Sequence, residues 1–103
     1  MGFIIIYVTH ESYEEAKKIG EELVSKKMVA CANYFPIKST FFWEGNVEGE
    51  DEYVSLLKTK SENWNKVKKE VKKLHPYDTP AIIKFEVESN EEYEEWIKDN
   101  SNA

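Results

Sequence analysis

Residues 3–8 form the run FIIIYV, in which every side chain is apolar. Successive side chains of a strand point to opposite faces of a sheet, so a strand made of this run carries apolar groups on both faces. A sheet that has one face in water instead alternates apolar and polar residues. The run therefore predicts a strand that is covered on both sides.

Short periodic elements follow this first strand and are separated by turn residues. Ser12 and Glu15 have the spacing of a capping box, which predicts a helix over residues 12–27. Residues 29–43 are rich in β-forming side chains. Because proline cannot donate to a ladder, Pro36 within this stretch predicts a bulge or an edge strand.

The second half of the chain continues with a hairpin and two more helices. The turn residues EGN at 44–46 and a returning strand at residues 52–60 complete a long hairpin. Ser61 is the expected N-cap of a helix that must end before Pro76, because the residue before proline avoids the α region. The remaining elements are a strand at residues 81–87 and a last helix that begins at a capping box of Ser89 and Glu92.

The order of these elements is β-α-β-β-α-β with a trailing helix. It predicts an α+β, ferredoxin-like sandwich, in which two helices pack on one face of a four-stranded antiparallel sheet. At 103 residues the chain has the usual size of one domain, so we predict a single domain over residues 1–103. One short helix is left for the second face, which also receives aromatic side chains from FFW at residues 41–43. We therefore expect copies of the same chain to cover that face in an obligate homo-oligomer.

The charge and the cysteine content exclude several classes of partner and compartment. The chain has 20 acidic and 14 basic residues, and every basic residue is lysine. Nucleic acid binding needs a concentrated cationic surface, so we do not expect nucleic acid as a partner. The apolar run at residues 3–8 is too short to span a bilayer, so we expect no direct membrane insertion. Cys31 is the lone cysteine and cannot form an intrachain disulfide, which favours the cytoplasm.

Four segments together resemble the CutA divalent-cation-tolerance family. They are ACAN at residues 30–33, FFWEG at 41–45, LLKT at 56–59 and HPYDTPAI at 75–82, and the match covers nearly the whole chain. The resemblance implies a ferredoxin-like fold with a long central hairpin, in a homotrimer related in architecture to the PII signalling proteins. It also implies that hairpins pair between subunits and that the protein has a cytoplasmic role in tolerance of copper and other divalent cations.

Three side chains are candidate ligands for Cu²⁺ or another divalent cation, namely His75, Cys31 and Glu44. Imidazole suits copper and zinc, and the proline after His75 holds the backbone extended. Family members are proposed to bind copper through a second histidine before this motif and a cysteine at the end of the first strand. This chain has Leu74 and Val8 there, so two of those three ligands are missing. The alternative is a structural corner in which His75 caps the preceding helix.

The other reactive side chains also have structural interpretations. Cys31 lies beside small alanines, where a buried thiol behaves as a small hydrophobic group. His10, at the end of the first strand, is expected as a solvated loop residue, and it joins a site only if folding brings His75 or carboxylates near it. Tyr77 and Asp78 are an acid and a base in principle, but such residues in a turn bounded by prolines more often bond backbone donors. No nucleophile with a base and an orienting group can be assembled, so we do not expect an enzyme.

The acidic run EGNVEGEDE at residues 44–52 is expected near the hairpin tip. It is either solvated, with charges that discourage edge pairing, or a weak site for hard cations. Glu44 belongs to the motif of the resembling family, so we expect it in a cleft between subunits. The candidate cleft residues are Asn33, Trp43, Glu44, Lys58, His75, Tyr77 and Asp78.

Three functions remain open at this point. The first is a homotrimeric divalent-cation tolerance protein with a non-catalytic, metal-binding or metal-response role. The second is a PII-like sensor that binds a small ligand in the cleft between subunits. The third is a scaffold in which trimerisation itself matters and on which a membrane or redox partner, such as an unidentified protein, docks.

Overall fold

The computed structural model describes residues 2–103, which form four strands, three α-helices and a short 3₁₀ turn. In chain order these are β1 (Phe3–His10), α1 (Tyr13–Ser25), β2 (Cys31–Trp43), β3 (Asn46–Thr59), the 3₁₀ turn (Ser61–Asn63), α2 (Trp64–Leu74), β4 (Ile82–Val87) and α3 (Glu91–Asp99). The predicted order of elements is confirmed, including the trailing helix.

The four strands form one antiparallel sheet in the order β2-β3-β1-β4, which is the ferredoxin-like topology. The first strand, β1, lies between β3 and β4, and its even-numbered side chains are buried against the helices. The predicted α+β sandwich is therefore confirmed. Its main core is formed by Ile4, Ile6, Val8, Ile19, Leu23, Met28, Val29, Leu57, Val67 and Val71.

The opposite face of the sheet, which we call the open face, is apolar but incompletely covered. We define it by Ile5 and Tyr7 of β1, Leu56 of β3, and Ile83 and Phe85 of β4, which the strand registers place side by side. Helix α3 covers one end of this face, where Tyr93 packs on Phe3 with ring centroids 6.1 Å apart. Phe85 nevertheless remains 51% exposed. The expectation that β1 carries apolar groups on both faces is confirmed.

The hairpin is longer and tighter than the sequence suggested. Strands β2 and β3 pair without interruption from Cys31 to Trp43. Pro36 was predicted to mark either a bulge or an edge strand, and it lies in β2, which is an edge strand of the sheet. Glu44 and Gly45 have φ values of 48° and 82°, as a two-residue type I′ turn requires. The prediction that the returning strand begins at residue 52 is wrong, because this short turn lets pairing begin at once, at Asn46.

The helix starts agree with the capping predictions at one place and differ at two. Ser12 Oγ accepts a hydrogen bond from the Glu15 amide at 3.1 Å, so the first cap is confirmed. Ser61 instead begins the 3₁₀ turn, and Asn63 stands at the cap position of α2 without a capping side-chain bond. The cap position of α3 is Asn90 rather than Ser89. The Ser89 hydroxyl donates a hydrogen bond to the Asn90 carbonyl oxygen, so it does not cap the helix.

Asn63 serves a different structural purpose, which is to join three distant parts of the chain. Its side-chain amide is buried and donates to Met28 O at 3.2 Å, Thr59 Oγ1 at 2.9 Å and Ser101 O at 2.7 Å. These acceptors belong to the loop after α1, the end of β3 and the segment after α3. The amide therefore fixes the position of α3 at the end of the sheet.

We expect Asn63→Ala to lower the free energy of unfolding by about 2 kcal/mol, because a buried carbonyl acceptor loses its donor. Urea denaturation at pH 7.5 measures the change. The matched control is Asn100→Ala, which removes a single exposed hydrogen bond to Trp96 O and should cost about 0.5 kcal/mol or less. Equal losses in the two variants would contradict a special role for Asn63.

Candidate functional site

A groove of about 350 Å³ lies between the hairpin and the loop that connects α2 to β4. Three glutamates at alternate positions of β3 point to the open-face side of the hairpin, beside two aromatic residues of β2. The loop residues close the other wall. The lining residues are Phe41, Trp43, Glu48, Glu50, Glu52, Tyr77, Asp78 and Thr79.

The glutamates form a row of like charges on one face of the hairpin. Across the ladder Glu48 is paired with Phe41, Glu50 with Ser39 and Glu52 with Ile37, so each carboxylate lies opposite a neutral side chain. Alternate residues of a strand share a face, which explains why three carboxylates collect there. The interpretation of this run as a solvated hairpin tip is thus incomplete, since these residues belong to the strand and line the groove.

Tyr77 connects the loop to this row of carboxylates. Its hydroxyl donates to Glu52 Oε2 at 3.4 Å. Partial burial, followed by the charge and hydrogen bond of Glu52 and by the charges of Glu11 and Glu50, raises the pKa of Tyr77 to about 12. The phenol is therefore neutral at physiological pH and acts as a hydrogen-bond donor to the groove.

His75 lies behind the loop and is buried, with 7% exposure. The Tyr77 amide donates to His75 Nδ1 at 3.2 Å, so that nitrogen carries no proton, and His75 Nε2–H donates to Thr9 O at 2.8 Å. The predicted structural corner is present. His75 also caps α2 as expected, since its backbone amide donates to Val71 O at 2.9 Å, while its ring bonds β1 and its own loop.

His10 is the residue whose environment the sequence most misrepresented. It stands at the end of β1 as expected, but it is fully buried rather than solvated, and the fold does bring His75 near it. Its Nε2 lies 2.8 Å from Ser55 Oγ, and its ring stacks on His75 with centroids 5.1 Å apart. Burial, and then the charge of His75, lower the pKa of His10 to about 4. Because residues 3–8 are all apolar, the sequence carries no alternation that would have shown which face His10 occupies.

A second group of candidate residues lies at the other end of the hairpin. Cys31 and Lys58 are cross-strand partners. The Cys31 thiol contacts Asn33 Oδ1 at 3.9 Å, and Lys58 Nζ donates to the Tyr93 hydroxyl at 3.1 Å. Cys31 is half-buried on an edge strand rather than part of the core that the structural interpretation expected.

Within one chain the candidate metal ligands do not come together. Cys31 and Glu44 stand at opposite ends of β2, and an extended strand of that length separates them by roughly 40 Å. Both ring nitrogens of His75 are already engaged. Among residues 2–103 no group of three or more histidine, cysteine, aspartate or glutamate side chains has the geometry of a metal site. Of the seven candidate cleft residues, the groove gathers Trp43, Tyr77 and Asp78.

This chain is similar to known proteins that have the same fold and the same sequence motifs. Residues 4–100 match the family model of the CutA1 divalent ion tolerance protein. The divalent-cation tolerance protein CutA of Archaeoglobus fulgidus is 45% identical over 93 residues, which cover 89% of this chain and 91% of that protein. The chain belongs to the CutA family. The resemblance inferred from the four sequence segments is therefore confirmed.

Solved structures of the CutA family agree closely with this fold. CutA1 of Pyrococcus horikoshii superposes with a TM-score of 0.94 at 37% identity, over 98% of this chain and 100% of that one. A PII-like CutA of Nostoc superposes with a TM-score of 0.90 at 28% identity, over 97% of this chain and 98% of that one. The PII-like architecture is thus confirmed.

The cellular compartment is not fixed by these comparisons. A solved CutA of Archaeoglobus fulgidus, with a TM-score of 0.92 at 42% identity over 96% of this chain and 98% of that one, is described as periplasmic. Along residues 2–103, no helix combines the length and apolarity that crossing a membrane requires. The cytoplasmic location stays a prediction.

We expect His75→Ala to lower the free energy of unfolding at pH 7.5 by about 2 kcal/mol, because the Tyr77 amide and the Thr9 carbonyl lose their partner. Urea denaturation measures this. Asp78→Ala, three residues further along the same loop and exposed, is the control and should change stability by about 0.5 kcal/mol or less. A negligible effect of His75→Ala would mean that the ring is not structural and that its nitrogens are available to a metal.

Proposed function

We propose that this CutA-family chain acts in tolerance of divalent cations as a non-catalytic homotrimer that binds such cations weakly at the groove. The observation that carries the proposal is the row of Glu48, Glu50 and Glu52 on one face of β3, in a groove that Asp78 also lines. Within residues 2–103 of one chain these carboxylates lack the geometry of a closed metal site, which is why the binding we propose is weak. Carboxylate oxygens are the ligands that hard divalent cations prefer. The names of the relatives, which are divalent-cation tolerance proteins, support the same function.

The trimer is supported by the open face. Ile83 is 46% exposed and Phe85 is 51% exposed, and both adjoin the half-buried Ile5 and Tyr7 of β1. Burying a fully exposed large apolar side chain gains about 1.5–3 kcal/mol, so covering these half-exposed side chains is favoured by a part of that energy each. A second copy of the same sheet offers the matching apolar surface. We take one domain over residues 1–103 as the unit that assembles.

Light scattering after gel filtration should give three times the chain mass of 12.1 kDa for the native protein. Phe85→Glu puts a charge on the open face and should shift the mass towards that of a single chain, because an unpaired charge would be buried. Lys84→Glu introduces the same residue on the neighbouring position, which faces away, and should leave the mass unchanged. A single-chain mass for the native protein at all concentrations would contradict the trimer.

The trimer also bears on the candidate ligands that one chain keeps apart. The hairpin tip with Glu44 lies at one end of the hairpin. Cys31 and Asn33 of β2 and Lys58 of β3 lie at the other end, so the two groups can share one cleft only between chains. We propose that the tip of one chain enters this cleft of another. In that arrangement Cys31 supplies the soft sulfur ligand that copper in its Cu(I) state prefers, whereas the groove favours harder cations.

Calorimetric titration with Mn²⁺ and with Cu²⁺ tests cation binding. The double variant Glu48→Gln/Glu50→Gln should weaken Mn²⁺ binding roughly tenfold, because each substitution replaces a charged ligand by a neutral one. The control Glu91→Gln/Glu95→Gln changes the net charge equally on the exposed side of α3 and should leave the affinity within about twofold. If both double variants bound Mn²⁺ equally weakly, the loss of affinity would come from the lower net negative charge alone, which would contradict a cation site at the groove.

A second function is a PII-like sensor of a small ligand in the cleft between subunits. The similarity to the PII-like CutA of Nostoc favours it. The row of carboxylates argues for cationic rather than anionic ligands, because an anion would lie among like charges. Thermal-shift measurements with cationic metabolites and with nucleotides distinguish cationic from anionic ligands. Stabilisation by nucleotides alone would contradict the groove as the sensor site. Docking of an unidentified protein partner stays a prediction.

A further inference from the structure

Helix α2 carries an excess of positive charge in an acidic chain. It contains five lysines and one glutamate, a net charge of +4, whereas the chain as a whole carries −6. All residues outside α2 therefore carry −10 together. We call the five side chains the lysine face of α2, and they are Lys66, Lys68, Lys69, Lys72 and Lys73.

The packing of α2 directs the lysine face away from the sheet. Val67 and Val71 are fully buried in the core, between α2 and the sheet. Residues of a helix follow one another at about 100° intervals, so four of the lysines fall on the side of the helix away from these valines, and these four are exposed. Lys68 lies at the flank, half-buried, with its amine 5.1 Å from the centre of the Trp64 ring. The lysine face is therefore open to a partner.

The positive charge of this face is not neutralised by its neighbours. Lys66 Nζ donates to Ala103 O at 3.4 Å, and within residues 2–103 none of the five amines is paired with a side-chain carboxylate. Glu70, the one acidic residue of α2, instead accepts from Lys26 Nζ at 2.8 Å. Residues 13–27, which comprise α1 and its following turn, mix four glutamates with four lysines, as is usual for a solvated helix. The lysine face lacks that mixture of signs.

The stability of the helix does not account for this composition. Like charges three or four residues apart destabilise a helix, and Lys69 forms such a pair with Lys66, Lys72 and Lys73. The helix dipole favours cations in the last turn, which explains only Lys72 and Lys73. The first turn contains no acidic residue, although the dipole favours one there. An anionic partner would remove the repulsion, because its charge neutralises the lysines.

We propose that the lysine face docks on the surface of an anionic lipid bilayer, as a reversible electrostatic contact without insertion. The amines are spread along the outer side of a helix that is roughly 16 Å long, which fits a broad surface of negative charge better than a single small anion. Long lysine side chains reach the lipid headgroups while their stems stay on the helix. The apolar side of α2 remains in the core, so the contact does not require the helix to leave the sheet.

The acidic part of the chain does not prevent this contact. The glutamates of the groove and the acidic residues of α3 lie on the open-face side of the sheet, whereas α2 packs on the opposite side. The two shorter dimensions of the chain are 24 and 21 Å, and exposed charges more than about 10 Å apart are largely screened at 0.1 M salt. A bilayer that touches the lysine face therefore attracts α2 more strongly than it repels the far side.

Co-sedimentation of the native, metal-free protein with lipid vesicles tests this docking surface. Vesicles of phosphatidylcholine and phosphatidylserine in about a 2:1 ratio should bind the protein at about 50 mM NaCl, and the affinity should fall at least about fivefold at about 200 mM. Vesicles of phosphatidylcholine alone should not bind it measurably. Absence of binding to the anionic vesicles at the lower salt concentration, or equal binding to both kinds of vesicle, would overturn the proposal.

A matched pair of double variants tests whether α2 makes the contact. Lys69→Gln/Lys73→Gln should weaken binding to the anionic vesicles roughly 25-fold, because each exposed lysine near such a surface contributes about fivefold. Lys17→Gln/Lys18→Gln makes the same change of net charge on the exposed side of α1 and should leave the affinity within about twofold. The same loss in both variants would assign the effect to net charge and overturn the lysine face as the contact. If a variant does not fold, the comparison of anionic with neutral vesicles still decides.

An acidic protein is the other class of partner that fits a positively charged helix. Calorimetric titration of the native protein with a poly-glutamate peptide at the same salt concentration separates the two classes. Binding of the peptide without binding of the anionic vesicles would overturn the lipid surface in favour of an acidic protein. No divalent cation is present in these measurements, so their outcome is independent of cation binding at the groove.

Discussion

Burial of both faces of β1 is the constraint on which the rest of this structure depends. One face is covered from within, because α1 and α2 close over Ile4, Ile6 and Val8. The other face is covered only at the end where α3 packs on Phe3. The sheet is therefore closed by helices on one face and largely uncovered on the other. We therefore expect copies of the chain to associate through the open face. The groove lies beside this face, on the same side of the hairpin.

The composition of the groove follows from one tight turn. Because Glu44 and Gly45 close the hairpin in two residues, the register of β2 and β3 is fixed along the full length of both strands. That register places the three glutamates of the groove on the open-face side. A slip of one residue would transfer them to the opposite face and leave the groove neutral. The backbone conformation at the tip thus determines electrostatics several residues away.

The sequence predicted the elements that depend on local periodicity and failed where distant contacts decide. The spacing of apolar residues and Pro36 identified the strands, the helices and the edge position of β2. His10 was misplaced because its burial depends on Ser55 and His75, which only the fold brings to it. Ser61 has the chemistry of a cap, but the buried acceptors around Asn63 decide how that segment is arranged. The family resemblance placed Trp43, Tyr77 and Asp78 in one cleft between subunits, but nothing local showed that the loop and the hairpin of a single chain would form a groove.

The loop between α2 and β4, which is the predicted structural corner, also limits what His75 can do. Its two ring nitrogens hold Tyr77 and β1, so a metal on either nitrogen would remove a bond that positions the wall of the groove. Leu74 and Val8 stand where the family resemblance implied further copper ligands, and Val8 is part of the core. A cation bound at His75 would therefore gain one imidazole and lose the geometry of the corner. In this chain the carboxylates of β3 can accept a cation without that loss, which separates the residues that shape the groove from those that provide its charge.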